Sequence, residues 1–176
     1  MRIVATLLLF CLPLRAAAAS PLDALERFVG GWSGSGTAVK TPYSEGGSLH
    51  GTTYCRWSGD HFFVICEQTG SYNAMTDHDV TIFTYDPKKR LYHFYNVRQA
   101  DANSTKLAFS GNTFTFSDSF VDKGKTIYTR TLNTFLDAGH YLWRTEFSTD
   151  QKVWTLMNSG TVARTPLSPD QYTGGQ

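Results

Sequence analysis

From Trp32 to Val162 the apolar residues recur with a period of two, in short runs that never lengthen into a helical pattern. About ten such runs can be read, at 32–39, 51–57, 62–69, 79–85, 91–98, 105–109, 113–119, 125–133, 141–147 and 153–162. Turn formers separate them: Asp86-Pro87-Lys88-Lys89, Asp101-Ala102-Asn103, Ser110-Gly111-Asn112, Asp122-Lys123-Gly124, Asp137-Ala138-Gly139 and Ser148-Thr149-Asp150. Parallel strands need a long crossover, usually a helix, and no gap carries one. The pattern predicts an all-β fold, an antiparallel up-and-down barrel of about ten strands, because closure removes the exposed edges. A β-sandwich is the rival arrangement and asks for longer connections between sheets.

Ahead of the strands, Ser20-Pro21-Leu22-Asp23-Ala24-Leu25-Glu26-Arg27-Phe28-Val29 carries a capping residue, a Pro in the first turn and apolar residues at helical spacing. It predicts a short N-terminal helix that closes one end of the barrel. Gly30-Gly31-Trp32-Ser33-Gly34-Ser35-Gly36 follows, placing Trp32 at the start of a strand among residues that let backbone and side chains approach closely.

Further upstream, Arg2, the apolar run from Ile3 to Leu14 and Ala16-Ala17-Ala18-Ala19-Ser20 have the order of a secretory signal peptide. Cleavage after Ala19 satisfies the small-residue rule. Phe10 before Cys11 argues against a lipid anchor. The expected organisation is a leader at 1–19, one barrel domain at 20–165 and a disordered tail at 166–176, in a secreted or periplasmic protein. Lys and Arg number 16 against 15 Asp and Glu, and the isoelectric point is near 7.7, so no charge excess points to nucleic acid. No second apolar stretch reaches membrane-spanning length. A monomer or weak dimer is expected.

Cys55 and Cys66 are the cysteines outside the leader. A hairpin turning at Gly59-Asp60-His61-Phe62 sets them opposite one another, and in an oxidising compartment such a pair is a disulfide. A redox or metal pair would need a spacing that is absent.

A barrel this wide is not filled by its own side chains, and aromatics make up 14% of the chain, so an interior pocket for a small hydrophobic or amphipathic molecule is expected. The expected lining is Tyr54, Phe63, His93, Tyr95, Tyr128, Arg130 and Trp143, with Arg130 and Tyr128 able to hold a carboxylate head group if they face inward. An enzyme is the alternative, with His93, Glu67 and Arg130 as its acid–base set. A ligand-free interaction module is another. Motifs for nucleophilic or phosphate chemistry are absent, and no cofactor or metal is expected. Asp77-His78-Asp79 and His61 are placed in loops. A slip of one residue in register exchanges the inner and outer faces of every strand.

Phe28-x-Gly30-x-Trp32-x-Gly34-x-Gly36, Tyr85-Asp86-Pro87 with Tyr92, Ser148-x-Asp150 with Trp154, and Arg164 near the end of the last strand together resemble the calycin superfamily. The chain is similar to small secreted bacterial calycin-like domains of unassigned function. Nitrobindins share the glycine-rich opening, and lipocalins share the first-strand Trp with a late Arg. The resemblance implies a pocketed barrel in which Trp32 and Arg164 stack as a structural pair. Nitrobindins hold haem through a His on a late strand, whereas His140 here falls at a turn edge.

Overall fold

A computed structural model describes residues 20–98 and 101–166; the expected leader, its cleavage site and the tail beyond 166 lie outside the described residues. Ten strands form one closed antiparallel barrel: β1 (Gly30–Thr41), β2 (Ser44–Trp57), β3 (Phe63–Tyr72), β4 (Met75–Asp86), β5 (Leu91–Arg98), β6 (Asp101–Ser110), β7 (Thr113–Asp122), β8 (Lys125–Phe135), β9 (His140–Ser148) and β10 (Thr155–Thr165). Each strand pairs with its neighbours in sequence, and β1 pairs with β10 to close the wall.

All the expected strands are present, and several are longer than the alternation suggested. Residues 44–50, 70–72, 75–78 and 101–104 also belong to strands. Those stretches are rich in Gly, Ser, Asp and Asn, since both of their faces meet polar surroundings and no apolar alternation marks them. Asp77-His78-Asp79 is therefore strand rather than loop.

The expected helix is a 3-10 helix, Pro21–Phe28. Leu22 N–H donates to Ser20 Oγ at 3.2 Å, and Ser20 N–H donates to the Asp23 carboxylate at 2.7 Å, a reciprocal cap that holds its first turn. Leu25 and Phe28 are buried. Phe28 stacks on Phe83 with ring centroids 4.2 Å apart and meets Phe114 edge-on at 4.4 Å, so one phenyl ring plugs the barrel floor.

Arg164 and Trp32 lock this end. The Trp32 indole N–H donates to the Phe28 carbonyl at 2.7 Å, and the Arg164 guanidinium lies 4.4 Å from the Trp32 ring. Arg164 also donates to the carbonyls of Val29 and Ala138, each at 2.6 Å, joining the helix exit to the β8–β9 turn. The Tyr92 hydroxyl donates to the Pro21 carbonyl at 2.6 Å. The other motif residues shape turns. Asp86 accepts from Lys88 and Lys89 N–H, and Asp150 caps the turn before Trp154 through Lys152 and Val153 N–H.

The opposite end is only partly covered. Tyr43, between β1 and β2, packs across the top against Phe120 at 5.5 Å and Phe147 at 4.9 Å. The β6–β7 ladder runs only from Leu107↔Phe116 to Ser110↔Thr113. Above it the wall is held by the Thr105 hydroxyl on the Ser117 carbonyl.

Candidate functional site: the barrel interior

Inside the wall is a cavity of about 900 Å³. Its floor is aromatic: Phe28, Trp32, Phe83, Phe94, Phe114, Phe116 and Tyr141. Burial pushes the Tyr141 phenol well above its ordinary range, so it stays protonated. Above the floor the inward series turns polar, with Thr81, Thr131, Asn133, Thr145 and Asn158 at the waist and Asp77, Asp79, Arg98 and Asp118 higher up. The change can be followed along single strands. On β4 the inward residues run Phe83, Thr81, Asp79, Asp77, and on β5 Phe94, Asn96, Arg98.

Room for the cavity comes from the glycine-rich opening. Gly36 faces Gly160 across β1 and β10, and the Trp143 indole lies against both. A Cβ added at either glycine would stand 2.7 Å from the Trp143 ring. The absent side chains let the indole lie flat on the wall instead of crossing the interior. The disulfide forms as expected: Cys55 and Cys66 are directly opposite, with Cα atoms 4.0 Å apart, and line the cavity beside the floor.

Asp79 is the cavity carboxylate with an unsatisfied buried oxygen: its Oδ1 is without a hydrogen-bond partner, as is the buried Asn158 Oδ1. Burial raises the Asp79 carboxyl above the usual range, with Asp77 adding to the rise and Arg98 and Asn96 opposing it. A carboxyl whose folded-state affinity for its proton is raised is more favourable to the fold when protonated. Its contribution is present at low pH and is lost as pH climbs through the raised value. Asp79→Asn is therefore expected to raise the melting temperature at pH 7, with the gain vanishing near pH 3, as thermal melts at the two pH values will check.

The structure brings few of the expected lining residues together. Trp143 lines the cavity; Tyr54, Phe63, His93, Tyr95, Tyr128 and Arg130 do not. They occupy the strand positions that alternate with lining residues such as Cys55, Phe94 and Thr129, which puts them on the outer face. Arg130 is answered there by Glu146, at 2.7 Å, and by the Trp154 ring, at 4.1 Å. His93 stacks beside Tyr95 at 6.1 Å. Glu67, His93 and Arg130 stand on β3, β5 and β8, too far around the wall to share a proton. His61 stacks on Trp57 at 4.2 Å in the β2–β3 turn, while His78, on β4, has its Nδ1 3.0 Å from the hydroxyl of Thr69 on β3. His140 begins β9 and meets Asp137 at 3.0 Å, outside the cavity. Among the described residues no group of three or more His, Cys, Asp or Glu could hold a metal ion, and no helix is long and apolar enough to cross a membrane.

Asp79, Asn96, Arg98 and Asn158 carry the polar wall, and the expected lining omitted them. For Asn96 the signal was its place two along from the inward Phe94, and Arg98 and Asp79 continue the inward faces of Phe94 and Phe83 two places further on. It was masked because the outer face is apolar beside them, with Val80 39% and Val97 51% exposed.

Solved structures share this architecture. The crystal structure of Rv2717c from M. tuberculosis superposes with a TM-score of 0.54 at 11% identity, covering 84% of this chain and 99% of that one. The S-type phycobiliprotein lyase CPES from Guillardia theta gives 0.58, also at 11% identity, covering 85% and 95%. These likenesses support the closed antiparallel barrel fold. No curated protein matches the sequence. The profile of the family described as "Protein of unknown function (DUF1579)" matches residues 19–164, and with most of the chain so covered, the protein belongs to that family.

Proposed function

We propose that the protein is an exported binding barrel that takes one small amphipathic molecule into its interior, apolar part on the aromatic floor and polar part at the waist. The carrying observation is the cavity itself: about 900 Å³ graded from Phe28, Phe83 and Phe114 to Asp79, Asn96 and Asn158. Ligand sites are commonly about 300–1,000 Å³, mostly apolar with a few converging polar groups. A barrel with only a structural task has no reason to leave this volume open, since each unfilled contact forfeits packing energy. Export is supported by the order of the first residues and by the Cys55–Cys66 disulfide, which persists in oxidising compartments. That a neighbour of the same fold is a phycobiliprotein lyase is in keeping with a barrel that works on a small molecule.

N-phenyl-1-naphthylamine, a neutral fluorophore that brightens in apolar surroundings, provides the test. Titrated into the protein it should bind saturably and quench tryptophan emission, because Trp32 and Trp143 line the cavity. Thr81→Phe with Thr131→Phe, two lining positions on β4 and β8, should weaken binding by roughly tenfold or more, the factor that about 1.4 kcal/mol of lost contact produces. Equal binding by the filled variant would place the dye outside the barrel and overturn the reading.

A further inference from the structure

The polar part of the cavity has a charge sign, and the sign selects a ligand chemistry. Asp77, Asp79 and Asp118 line it, against Arg98 and the imidazole of His50. Arg98 is already answered within the wall. It sits across the β4–β5 ladder from Asp79, its Nη1 lies 3.8 Å from Asp77 Oδ2, and its Nε donates to Asn96 Oδ1 at 3.2 Å. With Arg98 occupied, carboxylates remain in excess. The unpartnered buried atoms have the same character: Asp79 Oδ1 accepts only, and Asn158 Oδ1 is an acceptor. A buried acceptor without a donor is costly, and a ligand that supplies the donor recovers that cost on binding.

We infer that the ligand presents a cationic, hydrogen-donating nitrogen, a primary amine or an amidine-type group, to Asp79, with its apolar body on the aromatic floor. This rests on the binding-barrel reading and adds the head-group class. An anionic head group would meet the Asp79 and Asp77 carboxylates, with Arg98 already paired to Asp77. The aromatic floor also suits a flat or branched body, since Phe83, Phe94 and Phe116 present ring faces and edges in series, with centroids 5.2 Å and 4.8 Å apart.

The test compares dansylcadaverine, a dansyl ring on a short chain ending in a primary amine, with its N-acetyl derivative, which keeps the ring and chain and removes the charge. The amine should bind about tenfold tighter or better, as a charge-assisted hydrogen bond at a partly desolvated site implies. Asp79→Asn should bring the ratio close to one, and Asp77→Asn should reduce it less. The preference should also shrink as pH is lowered far enough to protonate Asp79. A ratio near one in the unmodified protein, tighter binding of the acetylated probe, or a ratio untouched by Asp79→Asn would overturn the head-group assignment. If neither dansyl probe binds while N-phenyl-1-naphthylamine does, the assignment falls and the binding barrel stands. If no probe binds, both fall.

Discussion

Trp32→Ala is expected to destabilise the protein by about 3–5 kcal/mol, the range for truncating a large buried aromatic side chain, and so to remove a large share of a typical domain's stability. Trp32 is 2% exposed and touches each part of the closed end. Its indole N–H satisfies the Phe28 carbonyl, its face carries the Arg164 guanidinium, and its ring meets Phe135 at 6.1 Å and Tyr141 at 5.3 Å. Removing it leaves a void beneath the plug and unties the helix exit from the last strand. Trp143→Ala is the informative control. Its ring borders open cavity, so fewer contacts are lost and a visibly smaller shift in the urea midpoint is expected. Equal shifts for the two variants would mean that the closed end is not where the stability resides.

Loss of the Cys55–Cys66 bond is expected to cost roughly 2–3 kcal/mol in the chain-entropy account, for a sequence separation of 11. For a domain of this size that lowers the melting temperature by about 5–10 °C. The paired variant Cys55→Ala with Cys66→Ala avoids leaving a lone thiol. Both residues are buried, 3% and 1% exposed, and their positions in the ladder are set by the β2–β3 register with or without the bond. Calorimetry should therefore show a lower transition temperature with the native near-ultraviolet aromatic signal retained below it. An unchanged transition temperature would show that the bond constrains nothing the hairpin does not already constrain.

Acid behaviour divides the carboxylates. Asp60, Asp137 and Asp150 have their carboxyls held below the usual range by hydrogen bonds from neighbouring groups: chiefly the Ser58 hydroxyl for Asp60, Gly139 N–H for Asp137 and Val153 N–H for Asp150. Their contributions are present above the ordinary carboxylate range and fade as pH falls through the lowered values. Asp79 runs the other way, raised by burial, and that opposition marks a group retained at the expense of stability.

The barrel was readable because turn clusters such as Asp122-Lys123-Gly124 and the period-two runs between them are local signals. The Cys55–Cys66 pairing and the Trp32–Arg164 lock followed from spacing and from resemblance. The cavity lining was not readable in the same way. Binary alternation picks the inner face only when that face is the apolar one, and on β4 and β5 the upper half is reversed: Val80 and Val97 face out while Asp79, Asn96 and Arg98 face in. His93, Tyr95, Tyr128 and Arg130 stand one residue away from lining positions and so on the outer face. The elongated strand ends were missed for a related reason. Ser44 to His50 is wet on both sides and carries no period.

The most direct test of an occupied interior is native mass spectrometry of the protein purified without detergent from the cell that makes it, before and after addition of N-phenyl-1-naphthylamine. Extra mass that leaves on denaturation is expected, or a bare chain that takes up one dye molecule and loses that capacity in the Thr81→Phe, Thr131→Phe variant. A bare chain that stays bare with dye present would contradict the binding-barrel reading.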